Sequence, residues 1–124
     1  PATGEAFCKV PRASASQADA AVAAAKAAVP GWSALPWADR QAKLIELADA
    51  IAARKDEIAR VLTMEQGKPL AEAMGELAWT DGYLRHYATL ELPERVIQDD
   101  DSGYIAVRHR PLGVVVGIIA WNFP

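Results

Sequence analysis

The sequence predicts an α/β fold, with helices first, a β-hairpin after them, and last a strand belonging to a helix-covered sheet. Three observations carry this. Apolar residues recur at helical spacing through alanine-rich stretches as far as Pro93. From Val96 the period shortens to two around an aspartate-rich turn that ends in Gly103. Finally, Val114 to Ile119 are β-branched apart from Gly117 and follow Pro111 and Gly113, a run too short to cross a bilayer. They read as a strand buried on both faces, the kind found in parallel sheets.

The elements follow in order. Ala6 to Val10 alternate and are followed by Pro11, which predicts a short edge strand. Ser14 and Ser16 precede the alanine run, and Asp19 lies three residues after Ser16 like the acid of a capping box. A helix is expected over about Gln17 to Ala28, stopped by Pro30-Gly31. A second helix, about Ala38 to Ala53, places Leu44, Ala48, Ile51 and Ala52 on one side. A third, about Lys55 to Gln66, turns Ile58, Val61 and Leu62 inward and ends at Gly67, with Pro69 just beyond. The fourth, about Leu70 to Thr89, buries Ala73, Leu77, Leu84, Tyr87 and Ala88 despite Gly75 and Gly82. Val96-Ile97-Gln98 and Tyr104 to Arg110 then pair around Asp99 to Gly103, with Ile105 and Val107 on one face.

Composition narrows the function. A chain of 124 residues suits one domain, and its 52% hydrophobic content is enough for a core in principle. The net charge of −3, with basic residues scattered, argues against nucleic acid as a partner. No run of eighteen or so apolar residues and no basic-then-apolar leader is present, so no membrane role is expected. The single cysteine, Cys8, has no internal partner, which fits a reducing, cytoplasmic compartment. His86 and His109 with that one cysteine make no zinc pattern. The chain opens on Pro1 and stops at Pro124, right after a strand that needs neighbours on both edges, so it reads as a piece of a longer protein.

In sheets of this kind ligands sit beyond the carboxyl ends of the strands, a position held here by Ala120-Trp121-Asn122. The Asn122 carboxamide has two N–H donors and can hold a carbonyl oxygen as negative charge develops on it. An asparagine capping the turn after a strand is the plain alternative. For Trp121 the plain alternative is a core aromatic. No Gly-x-Gly-x-x-Gly follows the strand, so pattern alone names no dinucleotide.

Pro111-Leu112-Gly113, the hydrophobic strand and Trp121-Asn122-Phe123-Pro124 together resemble the first signature of the NAD(P)-dependent aldehyde dehydrogenase superfamily. The resemblance extends upstream through Pro1 to Glu5, Glu65 to Ala73 and Tyr83 to Ala88, in the family's order and over nearly the whole chain. It implies that the chain corresponds to the amino-terminal portion of such an enzyme. Residues 1–93 would be the helical part of the cofactor-binding domain. Residues 94–112 would be a hairpin of the oligomerisation sheet, and residues 113–124 the first strand and site loop of a Rossmann-like domain.

The same resemblance assigns Asn122 to the oxyanion hole and Ile118, Ile119, Ala120 and Trp121 to the NAD or NADP site, and it places Glu65 where relatives carry an acid for a structural monovalent cation, with a solvated charge at a helix end as the plain alternative. It implies oxidation of an aldehyde to a carboxylate through a cysteine thioester, in a homodimer or homotetramer. The family's cysteine, general-base glutamate and pyrophosphate glycine turn all fall outside this chain, and Cys8 lies far from the site-like stretch, so this chain alone is expected to be inactive. Ala120 departs from the proline that most relatives carry, a residue that would stiffen the turn. Substrate hints diverge: Glu65 to Ala73 resembles succinate-semialdehyde dehydrogenases, whereas Ala120-Trp121-Asn122 resembles betaine aldehyde enzymes. A coenzyme A-dependent relative is a further possibility. Lys68, Glu72 and Glu76 read as surface or ion-pairing residues. The rival from another class is a non-catalytic assembly module whose last strand docks on a partner sheet.

Overall fold

The computed structural model describes residues 1–124 and contains four helices followed by one antiparallel hairpin. Helix α1 spans Ala15–Ala34, longer at both ends than its sequence predicts. Its capping box is built on Ser14: Ser14 Oγ accepts from the Gln17 N–H at 3.2 Å, and Gln17 Oε1 accepts from the Ser14 N–H at 2.8 Å. The pair Ser16 and Asp19 therefore lies inside the helix. Pro30 and Gly31 lie inside it too. A proline inside a helix loses its own N–H from the ladder and crowds the carbonyl four residues back, a cost of about 3 kcal/mol that α1 bears. The alanine run before it and Trp32-Ser33-Ala34 after it carry the helix to Leu35, whose N–H closes on the Trp32 carbonyl. The helix buries no residue.

Helices α2 (Trp37–Ala53), α3 (Lys55–Gln66) and α4 (Leu70–Tyr87) form the packed part of the chain. The bounds of α3 are those the sequence predicts, because Gly67 adopts φ +87° and closes the last turn, its N–H donating to the Thr63 carbonyl at 2.9 Å. A side chain there would be strained and would also crowd Pro1 Cγ at 3.3 Å. Ala59, Leu62 and Ala73 make a small core between α3 and α4, with Met74 and Leu77 against it. Ala48 buries α2 where α2 and α4 pack together. The end of α4 is tied back to the start of α2: Trp37 Nε1 and Gln41 Nε2 both donate to the Leu90 carbonyl, at 2.8 and 2.9 Å.

Helix α4 stops two residues short of Thr89, and Tyr87, expected inside, is exposed. Val61 is likewise exposed and its neighbour Ala59 is buried instead. The hairpin pairs β1 (Arg95–Asp100) with β2 (Gly103–Val107), a bulge falling between Val96 and Gln98. Its turn is tighter than expected because Gly103, at φ +151°, pairs with Asp100 and opens β2. Strand β2 ends at Val107, and Arg108 instead swings to an ion pair with Glu94.

Two predicted strands are absent. Ala6 to Val10 and Val114 to Ile119 form no ladder, and residues 111–124 are exposed throughout. The reason is the same for both. A strand satisfies its backbone only against a neighbour, and the only sheet in the chain is the β1–β2 pair. Only four residues are buried, so the expected core does not close within residues 1–124. Large apolar side chains such as Leu112 (95% exposed) and Ile118 (96% exposed) stand open instead. No helix is long and apolar enough to cross a membrane.

Candidate active site

The predicted site residues converge on a turn formed by Trp121 and Asn122 at the end of the open apolar segment. The link from α3 to α4 holds this turn. Gln66, the last residue of α3, donates from Nε2 to the Trp121 carbonyl at 2.6 Å. Lys68, one residue past the left-handed Gly67, donates from Nζ to the Asn122 carbonyl at 2.8 Å. The same ammonium ion-pairs with Glu76 of α4 and lies 4.3 Å from the centre of the Phe123 ring. The Lys68 and Glu76 side chains are only 10% and 13% exposed. Pairing is what makes burial of both charges tolerable. Lys68 and Glu76 thus do ion-pair, as read from the sequence, but they are far from being solvated surface. Glu72 is exposed.

Both anchoring bonds end on backbone carbonyls, so the side chains of Trp121 (80% exposed) and Asn122 are left open. A cavity of about 260 Å³ lies on one side of the turn, lined by Glu65, Gln66, Trp121 and Pro124. Another of about 290 Å³ lies on the α4 side, lined by Lys68, Glu72, Gly75, Glu76, Trp79 and Phe123. A larger depression, about 430 Å³, runs along α4 past Ala78, Trp79, Gly82, Tyr83 and His86. It is wide and largely apolar, with polar tips from Tyr83 and His86, whereas Gln66 and Lys68 both bond to the turn.

The sequence model described as the Aldehyde dehydrogenase family matches residues 1–124. The chain belongs to the aldehyde dehydrogenase family. It is 40% identical over its full length to a glutarate-semialdehyde dehydrogenase of Pseudomonas aeruginosa, covering 26% of that protein. It is 36% identical, again over its full length, to a succinate-semialdehyde dehydrogenase of Escherichia coli named for NADP(+), covering 26% of it. Among solved structures, PnpE of Pseudomonas sp. WBC-3 in complex with nicotinamide adenine dinucleotide superposes with a TM-score of 0.87 and 35% identity, over 98% of this chain and 26% of that one. The chain thus spans about a quarter of these relatives and matches their amino-terminal portion. An α/β aldehyde dehydrogenase fold accounts for the architecture.

Within that family frame, Ile118 and Ile119 are exposed next to the turn, at Ala120, and their peptide groups take part in no ladder. Glu65 is exposed at the rim of the smaller cavity. No three His, Cys, Asp or Glu side chains gather in the chain. A cation at Glu65 would find a single acidic ligand here, which does not make a site from these residues alone. Cys8 is exposed and free, in the segment ahead of α1. The partnership of Gln66 and Lys68 with the turn was not legible in the sequence. Gly67 marks a helix end, but nothing in the pattern says what faces the residues on either side of it.

Proposed function

We propose that the full-length protein is an NAD(P)-dependent aldehyde dehydrogenase and that the Asn122 carboxamide is an oxyanion donor in its active site. One observation carries this reading: the turn is fixed through its two backbone carbonyls while the Asn122 side chain stays exposed. Thiolate attack on an aldehyde converts a carbonyl oxygen into an alkoxide, and a preorganised N–H donor stabilises that charge more than it stabilises the neutral aldehyde. The nucleophile belongs to sequence beyond these residues, as does the base that releases the thioester to water.

The open edge at Ile118, Ile119, Ala120 and Trp121 is an apolar and peptide surface of the kind that takes the rings and riboses of a dinucleotide. When bound, NAD or NADP supplies the two-electron oxidation. The chain's own part is to hold the carbonyl oxygen and to keep one wall of the site apolar. Kinship with enzymes named for glutarate and succinate semialdehyde favours an aldehyde bearing a carboxylate a few carbons away, in line with the Glu65 to Ala73 block and against the betaine-like hint. In this reading residues 1–93 back the cofactor domain, residues 94–112 supply a hairpin to a homodimer or homotetramer, and residues 113–124 begin the Rossmann-like sheet. The unpaired edges and exposed Ile97 and Ile105 of the hairpin suit such an assembly. A cytoplasmic location accords with the lone free thiol of Cys8.

The test is aldehyde oxidation by the full-length protein and its Asn122→Ala variant. Loss of one oxyanion donor lowers kcat by about 10²- to 10³-fold, with cofactor affinity nearly unchanged. A variant as active as the parent would remove Asn122 from the reaction, and a parent with no cofactor-dependent oxidation would leave the non-catalytic assembly reading in its place.

A further inference from the structure

Asn122 is gripped in an unusual way for an exposed residue. The Trp121 carbonyl belongs to the peptide plane that enters the Asn122 Cα, and the Asn122 carbonyl belongs to the plane that leaves it. Each plane is rigid, so a bond to each oxygen restricts φ and ψ at Asn122 and with them the direction of its Cα–Cβ bond. Gln66 holds the first plane at 2.6 Å and Lys68 the second at 2.8 Å.

The ammonium of Lys68 is committed on every side. It has three N–H donors and no acceptor. One meets the Asn122 carbonyl and another the Glu76 carboxylate, and the Phe123 ring lies 4.3 Å away, its centre facing the charge. With Glu76 beside it, the pair is neutral and adds little net charge to the turn. Its effect is geometric. Gly67, at φ +87°, turns the chain sharply between the two residues, so that the last side chain of α3 and the first beyond it both reach the same turn.

We propose that Gln66 and Lys68, the latter held in place by Glu76, are positioning residues that aim the Asn122 carboxamide at the reacting oxygen. The proposal rests on the reading of Asn122 as an oxyanion donor. It goes beyond that reading by giving the α3–α4 link a role in catalysis that acts through one other residue.

A double-mutant cycle in the full-length enzyme tests it. Lys68→Met with Glu76→Gln removes the latch without leaving a lone buried charge. That pair lowers kcat by about 10- to 100-fold, the scale of a misplacement of about 1 Å, and leaves the KM for cofactor within about twofold. In an Asn122→Ala background the same pair costs less than about twofold, because there is no carboxamide left to aim. Lys68→Arg keeps a cationic donor and retains most of the activity. Gln66→Ala, which strands no charge, gives the same non-additivity with Asn122→Ala even if the Lys68 pair folds poorly. Equal losses in both backgrounds, with Asn122→Ala itself strongly impaired, would overturn the latch and leave the oxyanion reading intact. Full activity of Asn122→Ala would overturn both.

Discussion

Helices α2 to α4 and the segment Val114 to Ile119 are both rich in aliphatic side chains, yet the first forms in these residues and the second does not. The difference lies in where each finds its hydrogen bonds. A helix closes N–H to C=O four residues back along its own chain, whereas a strand closes them only on a neighbour. Helices α3 and α4 need each other only for the small seam of Ala59, Leu62 and Ala73. Val114 to Ile119 would need strands on both edges and layers on both faces, and it has neither here. What the chain does supply is the fastening at the far end, through Gln66 and Lys68. Residues 1–124 therefore fasten the Trp121–Asn122 turn to the α3–α4 link, while the apolar segment before it pairs with no strand.

The largest effect that sharpens this contrast is in the helical seam. Leu62 is 8% exposed and is the only large side chain among the buried residues. Leu62→Ala should destabilise the full-length protein by about 2–4 kcal/mol, the loss expected when a buried leucine leaves a cavity that closes only in part. Chemical denaturation measures it. A change under about 0.5 kcal/mol would mean that the α3–α4 seam is not where stability resides.

A smaller effect concerns the hairpin, whose turn fastens itself as the terminal segment does not. The Asp100 carboxylate accepts from Ser102 Oγ at 2.5 Å, the Ser102 N–H at 2.8 Å and Gln98 Nε2 at 3.0 Å. These bonds favour the charged form and lower its pKa from the ordinary 3.8 to about 2. A carboxyl whose folded pKa is depressed stabilises the fold above its unfolded pKa and loses that contribution as pH falls through the folded one. The turn should thus be held fully above about pH 4 and loosen toward pH 2. Carboxyl-detected NMR should place the Asp100 midpoint at about 2. A midpoint at the ordinary value would mean that the turn's bonds are not populated in solution.

Much of this was legible from residues. Gly67 and Pro69 punctuate the end of α3 so strongly that its bounds can be read directly. The hairpin was legible as a change of period, although Gly103 was assigned to the turn when its positive φ serves a strand position. Pro30-Gly31 misled, because the helix-forming run before the pair carries α1 through it to Ala34. Asn122 could be singled out because its motif is local. Gln66 and Lys68 could not, since their bonds span 55 and 54 residues and no periodicity encodes such a contact.

Amide hydrogen exchange of residues 1–124 alone, set beside the full-length protein, tests most directly whether the terminal strand is completed by sequence outside these residues. The account predicts that the Val114 to Ile119 amides exchange freely in the shorter chain, while amides of α3 and α4 are slowed, and that they become among the best protected once the full sheet is present. Protection of Val114 to Ile119 in the shorter chain, or free exchange there in the full-length protein, would contradict it.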